Sequence, residues 1–175
     1  MRRKFICFAA FAALCGGFAT TASANNSAQQ GFTVVVPQSI SITAPAAASI
    51  THDQTDNPQA FPAQQWVVRG NSREGVNVSF ATATPFTHVD DDTFKRNAQL
   101  SLALGTVQGP ATWTVDVNND QTDYVNNDNA ALVSASSDGV GRATFNLSVT
   151  FVTGEFGEFA AGDYLTTVVG TVAAN

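Results

Sequence analysis

Hydrophobic and polar positions alternate with a period of two along much of this chain. Phe145, Leu147, Val149 and Phe151 fall on one side, and Thr144, Asn146, Ser148 and Thr150 on the other. That is the pattern of a strand with one buried face, because successive side chains of a strand point to opposite sides. The same alternation runs through Val76, Val78 and Phe80, through Leu100, Leu102 and Leu104, and through Trp113, Val115 and Val117. Further strands are expected at 32–36, 39–43, 65–69, 131–135 and 164–173, about nine in all. Between them lie loops rich in Gly, Asn, Asp and Pro, with no amphipathic helical window. Residues 44–64 and the Asn/Asp run 118–129 are expected to be long surface excursions.

Composition points the same way. From residue 25 onward there are 19 Val and 18 Thr against 6 Leu, 3 Glu and 1 Lys, so β-branched residues displace the helix formers. About nine half-apolar strands in one flat sheet would leave their apolar faces wet. The expected fold is therefore all-β, a single antiparallel β-sandwich, broadly immunoglobulin-like with Greek-key connections. An up-and-down barrel would favour shorter, more even hairpins.

The first 24 residues read as a signal peptide. Arg2, Arg3 and Lys4 give a positive start, Phe5 to Phe18 an apolar run, and Ala22-Ser23-Ala24 a small-residue cleavage pattern ending at Ala24. An apolar run of about 14 residues is short of the roughly 20 that span a bilayer as a helix. Leu14 before Cys15 does not suit a lipid attachment site, which wants a small residue there. The expectation is an exported protein, secreted, periplasmic or on the cell surface, with residues 25–175 as its one β-sandwich domain. Both cysteines, Cys7 and Cys15, and the only methionine leave with the signal. The domain then carries 14 acidic residues against 5 of the 8 basic ones, a formal charge of −9. So acidic a surface disfavours nucleic acid and anionic lipid, and no disulfide framework supports the fold.

Candidate chemistry is sparse. Asp116, Asn118, Asp120 and Asp123 place oxygen ligands at near-alternate positions, as calcium loops do. The full helix-loop-helix calcium pattern fails, since Gln121 stands where glycine is wanted and Asn127 where a bidentate glutamate belongs. Asp90-Asp91-Asp92 after His88 is a second, weaker acidic cluster. His52 and His88 lack the spacings of a transition-metal site. Gly70-Asn71-Ser72-Arg73-Glu74-Gly75 departs from the nucleophile elbow, which also needs a strand-to-helix setting. Glu155 and Glu158 read as solvated loop charges rather than a glycosidase pair. Flat aromatic rings can stack on sugars, and Trp66 and Tyr124, with Phe86, Phe156 and Phe159, are the candidates for carbohydrate binding. Trp113 alternates with Val115 and Val117 and belongs inside. No enzyme is expected.

The two ends of the exported chain, Gly31-Phe32-Thr33-Val34-Val35-Val36-Pro37 and Ala161-Gly162-Asp163-Tyr164-Leu165-Thr166-Thr167-Val168-Val169-Gly170-Thr171-Val172, resemble the terminal strands of secreted bacterial β-sandwich subunits of the spore coat U and fimbrial kinds. The resemblance covers some two dozen residues, and the cysteine pair common in those proteins is missing. It implies a structural or adhesive surface role, with copies of itself or a related subunit as partners by β-strand addition. Phe32, Val34 and Val36 form an alternating apolar stretch that could complete its own sheet, the default expectation, or a neighbour's. The alternative function is a carbohydrate- or calcium-dependent extracellular binding module.

Overall fold

A computed structural model describes residues 26–175 apart from Phe156. The proposed cleavage site at Ala24 and both cysteines lie outside the described residues.

The protein is all-β, with thirteen strands and one short 3-10 turn among the described residues. Two antiparallel sheets face each other. The larger has the order β1 (Ile40–Thr43), β3 (Gln64–Gly70), β11 (Gly141–Phe151), β7 (Ala98–Gln108), β9 (Asn119–Gln121), with β2 (Gln59–Ala60) also pairing with β11. The smaller has the order β13 (Val168–Ala174), β4 (Val76–Thr82), β10 (Ala131–Ser137), β8 (Trp113–Val117). No two consecutive strands of the chain are neighbours in this second sheet; connections cross from sheet to sheet, as in a Greek-key sandwich rather than a barrel of hairpins. A third small sheet, β12 (Tyr164–Leu165), β5 (Phe86–His88), β6 (Lys95–Arg96), sits at one end.

Alternation decides which side chains meet. Val76, Val78 and Phe80 of β4, Val133 and Ala135 of β10, and Val68, Leu100, Ala143, Phe145 and Leu147 of the facing sheet are buried together. The rings interlock edge to face across the gap: Trp66 with Phe80 at 5.2 Å, Phe80 with Phe145 at 5.9 Å, and Trp113 with Phe145 at 5.7 Å. Such tilted contacts suit the negative faces and positive edges of aromatic rings. Gly170 of β13 marks a close approach of the sheets, since a Cβ there would lie 2.7 Å from the Trp66 ring and 2.8 Å from Ile42.

The expected strands at 39–43, 65–69, 76–80, 100–104, 113–117, 131–135 and 145–151 are present within a few residues. Three expectations are corrected. Residues 32–36 form no strand. Ile40 pairs with Gly70, the last residue of β3, so the chain before it runs past the end of its neighbour. There the Asn71 side chain accepts from Ser39 N at 2.6 Å and donates to Pro37 O at 2.9 Å, ending the pairing. The expected last strand is two, because Thr166 turns away to bond Thr84 O and the Thr82 hydroxyl, both at 2.8 Å. This moves the chain from the small end sheet into the four-stranded one. The excursion 118–129 also contains a real strand, β9, and a 3-10 turn over Tyr124–Asn126.

No helix among the described residues is long and apolar enough to cross a membrane.

Candidate functional site

The end sheet, the last residues of β11 and the start of β7 build a second, smaller core from Phe86, Ala98 and Phe151, with Phe61, Val149 and Tyr164 packed on it. Above it opens a cavity of about 840 Å³. It is walled by 48–52, Gln54, Gln59, Phe61, Phe86, Val89 and 159–165, together with Phe151 of β11. Aromatic rings dominate the walls. Phe61 stacks parallel on Phe86 at 5.9 Å, and Phe151 meets Phe86 at 5.2 Å and Tyr164 at 5.4 Å, edge to face. His52 lies 5.6 Å from Phe151 and 4.9 Å from Phe159. Ile50, Val89 and Leu165 form an exposed apolar rim, at 37%, 64% and 66% of full exposure.

Three of the polar side chains of these walls, His52, Gln59 and Tyr164, are committed to local bonds. His52 Nδ1 accepts from Gln54 N at 2.9 Å, which leaves Nε2 to donate to the Thr153 hydroxyl at 3.0 Å. The Thr153 hydroxyl in turn donates to Asn57 O. Gln59 Nε2 donates to Asp53 Oδ1 and Asn57 O, both at 2.8 Å. Tyr164 donates its hydroxyl proton to Ala160 O at 3.1 Å, and burial pushes the phenol above its usual range. Behind the wall, buried His88 accepts from Asp90 N and Asp91 N at Nδ1 and donates from Nε2 to Ala161 O. Gly162 packs on that ring with φ of 146°, where any side chain would collide.

Arg96 lies beside this end and is 5% exposed. Nη1 donates to the Tyr124 hydroxyl at 2.9 Å, Nη2 sits 3.5 Å from Glu158 Oε2, and the guanidinium carbon lies 5.7 Å from the Phe159 ring centroid. Its Nε and Nη2 make no hydrogen bond.

The structure does not assemble the sites expected from sequence. Trp66 is 8% exposed and lies in the main core, so it offers no face to a sugar. Its parity with Val68 in β3 is the signal that places it inside, the same argument that placed Trp113. Tyr124 is half-buried and engaged with Arg96, and it forms no platform with Trp66. The proposed calcium ligands are distributed over separate local tasks. Asp116 on β8 accepts from Ser136, Asp120 on β9 accepts from Leu132 N at 2.7 Å, and Asp123 caps the 3-10 turn by accepting from Asn126. Asn118, between β8 and β9, gives its carbonyl to Leu102 N. Their near-alternate spacing is the spacing of strand and turn, and the chain passes from one sheet to the other between Asp116 and Asp120. No group of three His, Cys, Asp or Glu side chains able to hold a metal occurs among the described residues.

Three aspartates instead fix turns. Asp53 accepts from Thr55, Asp91 from Thr93, and Asp123 from Asn126, and in each case the side-chain bond leads in holding the carboxyl below its ordinary value of 3.8. A lowered folded value means these bonds stabilise above the ordinary carboxyl range and are lost as pH falls through the lowered value. In a carboxyl-carbon NMR titration these three should titrate at lower pH than Asp residues in an unfolded peptide. Titration at the ordinary value would remove them as turn anchors.

No protein family, curated protein or solved structure matches the sequence.

Proposed function

We propose that this protein is an exported, non-enzymatic structural or adhesive subunit of a bacterial envelope or exterior, joined to its neighbours through its N-terminal segment. The observation that carries the reading is the state of residues 32–36. Phe32, Val34, Val35 and Val36 are 85%, 86%, 84% and 76% exposed, in a segment without secondary structure. An uncharged, mostly apolar stretch with no backbone hydrogen bond to another described residue is suited to strand addition on another sheet. Four exposed hydrophobic side chains within five residues are otherwise costly to solubility. The resemblance of both chain ends to secreted β-sandwich subunits supports the same assignment. Sheet edges such as β8 and β13 supply unpaired backbone groups of the kind such a segment would meet.

Replacing Phe32, Val34 and Val36 together by serine tests this. Sedimentation of the exported protein over a wide concentration range should show association in the wild type and a monomer in the triple variant, with equal unfolding midpoints. A wild type that stays monomeric at every concentration would overturn the proposal.

The binding-module alternative gains one specific observation, the aromatic cavity, and none from Trp66, Tyr124 or the acidic run.

A further inference from the structure

We infer that the cavity at the end of the sandwich is a binding site for a small, neutral, apolar ligand, with an aryl or alkyl body. Its volume of about 840 Å³ falls within the range of ligand pockets, ~300–1,000 Å³. Its walls are dominated by Phe61, Phe86, Phe151, Phe159 and Tyr164, and its mouth by Ile50, Val89 and Leu165. A bound apolar body would remove from water both itself and this rim, which is the main favourable term available here.

The polar chemistry decides the ligand class. A sugar needs a dense set of free donors and acceptors, because each of its hydroxyls must exchange water for a partner or lose free energy. His52 uses both ring nitrogens internally, Gln59 has its amide nitrogen engaged twice, and the Tyr164 hydroxyl donates to Ala160 O. Ser49, Thr51, Gln54 and Asp163 are the other polar side chains of the lining, a smaller set than its aromatic and aliphatic ones, so an apolar body is served better than a polyol. Charge narrows the class further. Asp163 is the only Asp, Glu, Lys or Arg among the lining residues, and Arg96, which approaches the Phe159 ring beside them, is already paired with Glu158, so a ligand anion meets no unpaired Lys or Arg there and a formally acidic chain around it. Fatty carboxylates and aryl sulfonates are therefore disfavoured against uncharged hydrophobes of the same size.

The experiment uses 1-N-phenylnaphthylamine, a neutral fluorescent hydrophobe, titrated against the exported protein. The expected result is saturable enhancement with one probe per chain. The anionic analogue 8-anilinonaphthalene-1-sulfonate should bind at least tenfold more weakly. Val89→Asp and Leu165→Asp change well-exposed rim positions and should each weaken the neutral probe about tenfold while leaving the unfolding midpoint in place. Val169→Asp, 60% exposed and outside the cavity, is the matched control and should leave binding unchanged. The triple serine variant at 32, 34 and 36 separates this site from the exposed N-terminal segment, and it too should bind the probe normally. Absence of saturable binding, equal weakening by Val169→Asp, loss of binding in the triple variant, or equal affinity for the anionic probe would each overturn the assignment.

Discussion

Replacing Gly75 by alanine should destabilise the domain by about 3 kcal/mol or more, a large share of the roughly 5–15 kcal/mol that holds an ordinary domain folded. Two independent costs coincide. Gly75 has φ of 85°, a left-handed conformation that a Cβ makes unfavourable by about 1–2 kcal/mol. The Cβ would also lie 1.8 Å from Ser137 O and 2.5 Å from its carbonyl carbon. Those are backbone atoms, so no rotamer change relieves the collision. Gly75 sits where three segments meet: the turn entering β4, the end of β10, and the C-terminus. Val76 N donates to the Ser137 hydroxyl at 3.0 Å, and Asn175 bonds Gly75 O, Glu74 O and Ser137 O. Relieving the clash would pull β4 from β10 where both supply the core. Gly157→Ala is the control, since Gly157 has φ of 96° but nothing within 4 Å of its would-be Cβ. Urea unfolding of the two variants should give a small loss for Gly157→Ala and a loss several times larger for Gly75→Ala. Equal losses would mean that the junction at Ser137 is looser than described.

The fold was legible wherever a strand is long and buried on one face only. Val76 to Phe80, Trp113 to Val115 and Phe145 to Phe151 announce themselves because water on one side and core on the other select opposite residue types at alternate positions, whereas Val117 continues the pattern at an exposed site. The strands β2, β5, β6 and β12 have two or three residues each, too short for a period to register. Residues 32–36 show the converse: Phe32, Val34 and Val36 fall on one side, yet Val35 breaks the polar side, and whether such a stretch forms a strand depends on an edge to pair with, which the alternation does not reveal. The cavity was not legible at all. Its walls come from segments more than a hundred residues apart, and Phe61, Phe86, Phe151 and Tyr164 carry no mark in sequence that they share one small core. The acidic run is ambiguous in sequence for a related reason. Asp123 serves a turn by accepting from Asn126 three residues on, while Asp116 and Asp120 accept from Ser136 and Leu132 of the neighbouring strand β10, and these uses produce the same spacing as a cation loop.

Phe145→Ala should lower stability by about 3–5 kcal/mol, seen as a fall in urea midpoint with little change in slope. The ring is fully buried on the central strand β11 and stands between Phe80 and Trp113 of the facing sheet. Truncation removes two edge-to-face contacts as well as buried area, and the space left is bounded by both sheets. Collapse is hindered because β11 is paired on both sides, with β3 and β7, and so cannot move toward β4 alone. The described residues contain no cysteine, so no crosslink limits the loss. The Arg96–Glu158 ion pair, at 3.5 Å with Glu158 mostly exposed, contributes little by comparison. Phe145→Leu keeps most of the volume and should cost clearly less, while Leu132→Ala, at a site 45% exposed on β10, should stay within about 0.5 kcal/mol. If Phe145→Ala cost no more than Leu132→Ala, the two sheets would not be held by this aromatic web. The order Phe145→Ala, Phe145→Leu, Leu132→Ala follows from the assignment of the main core to the space between β4 and β11.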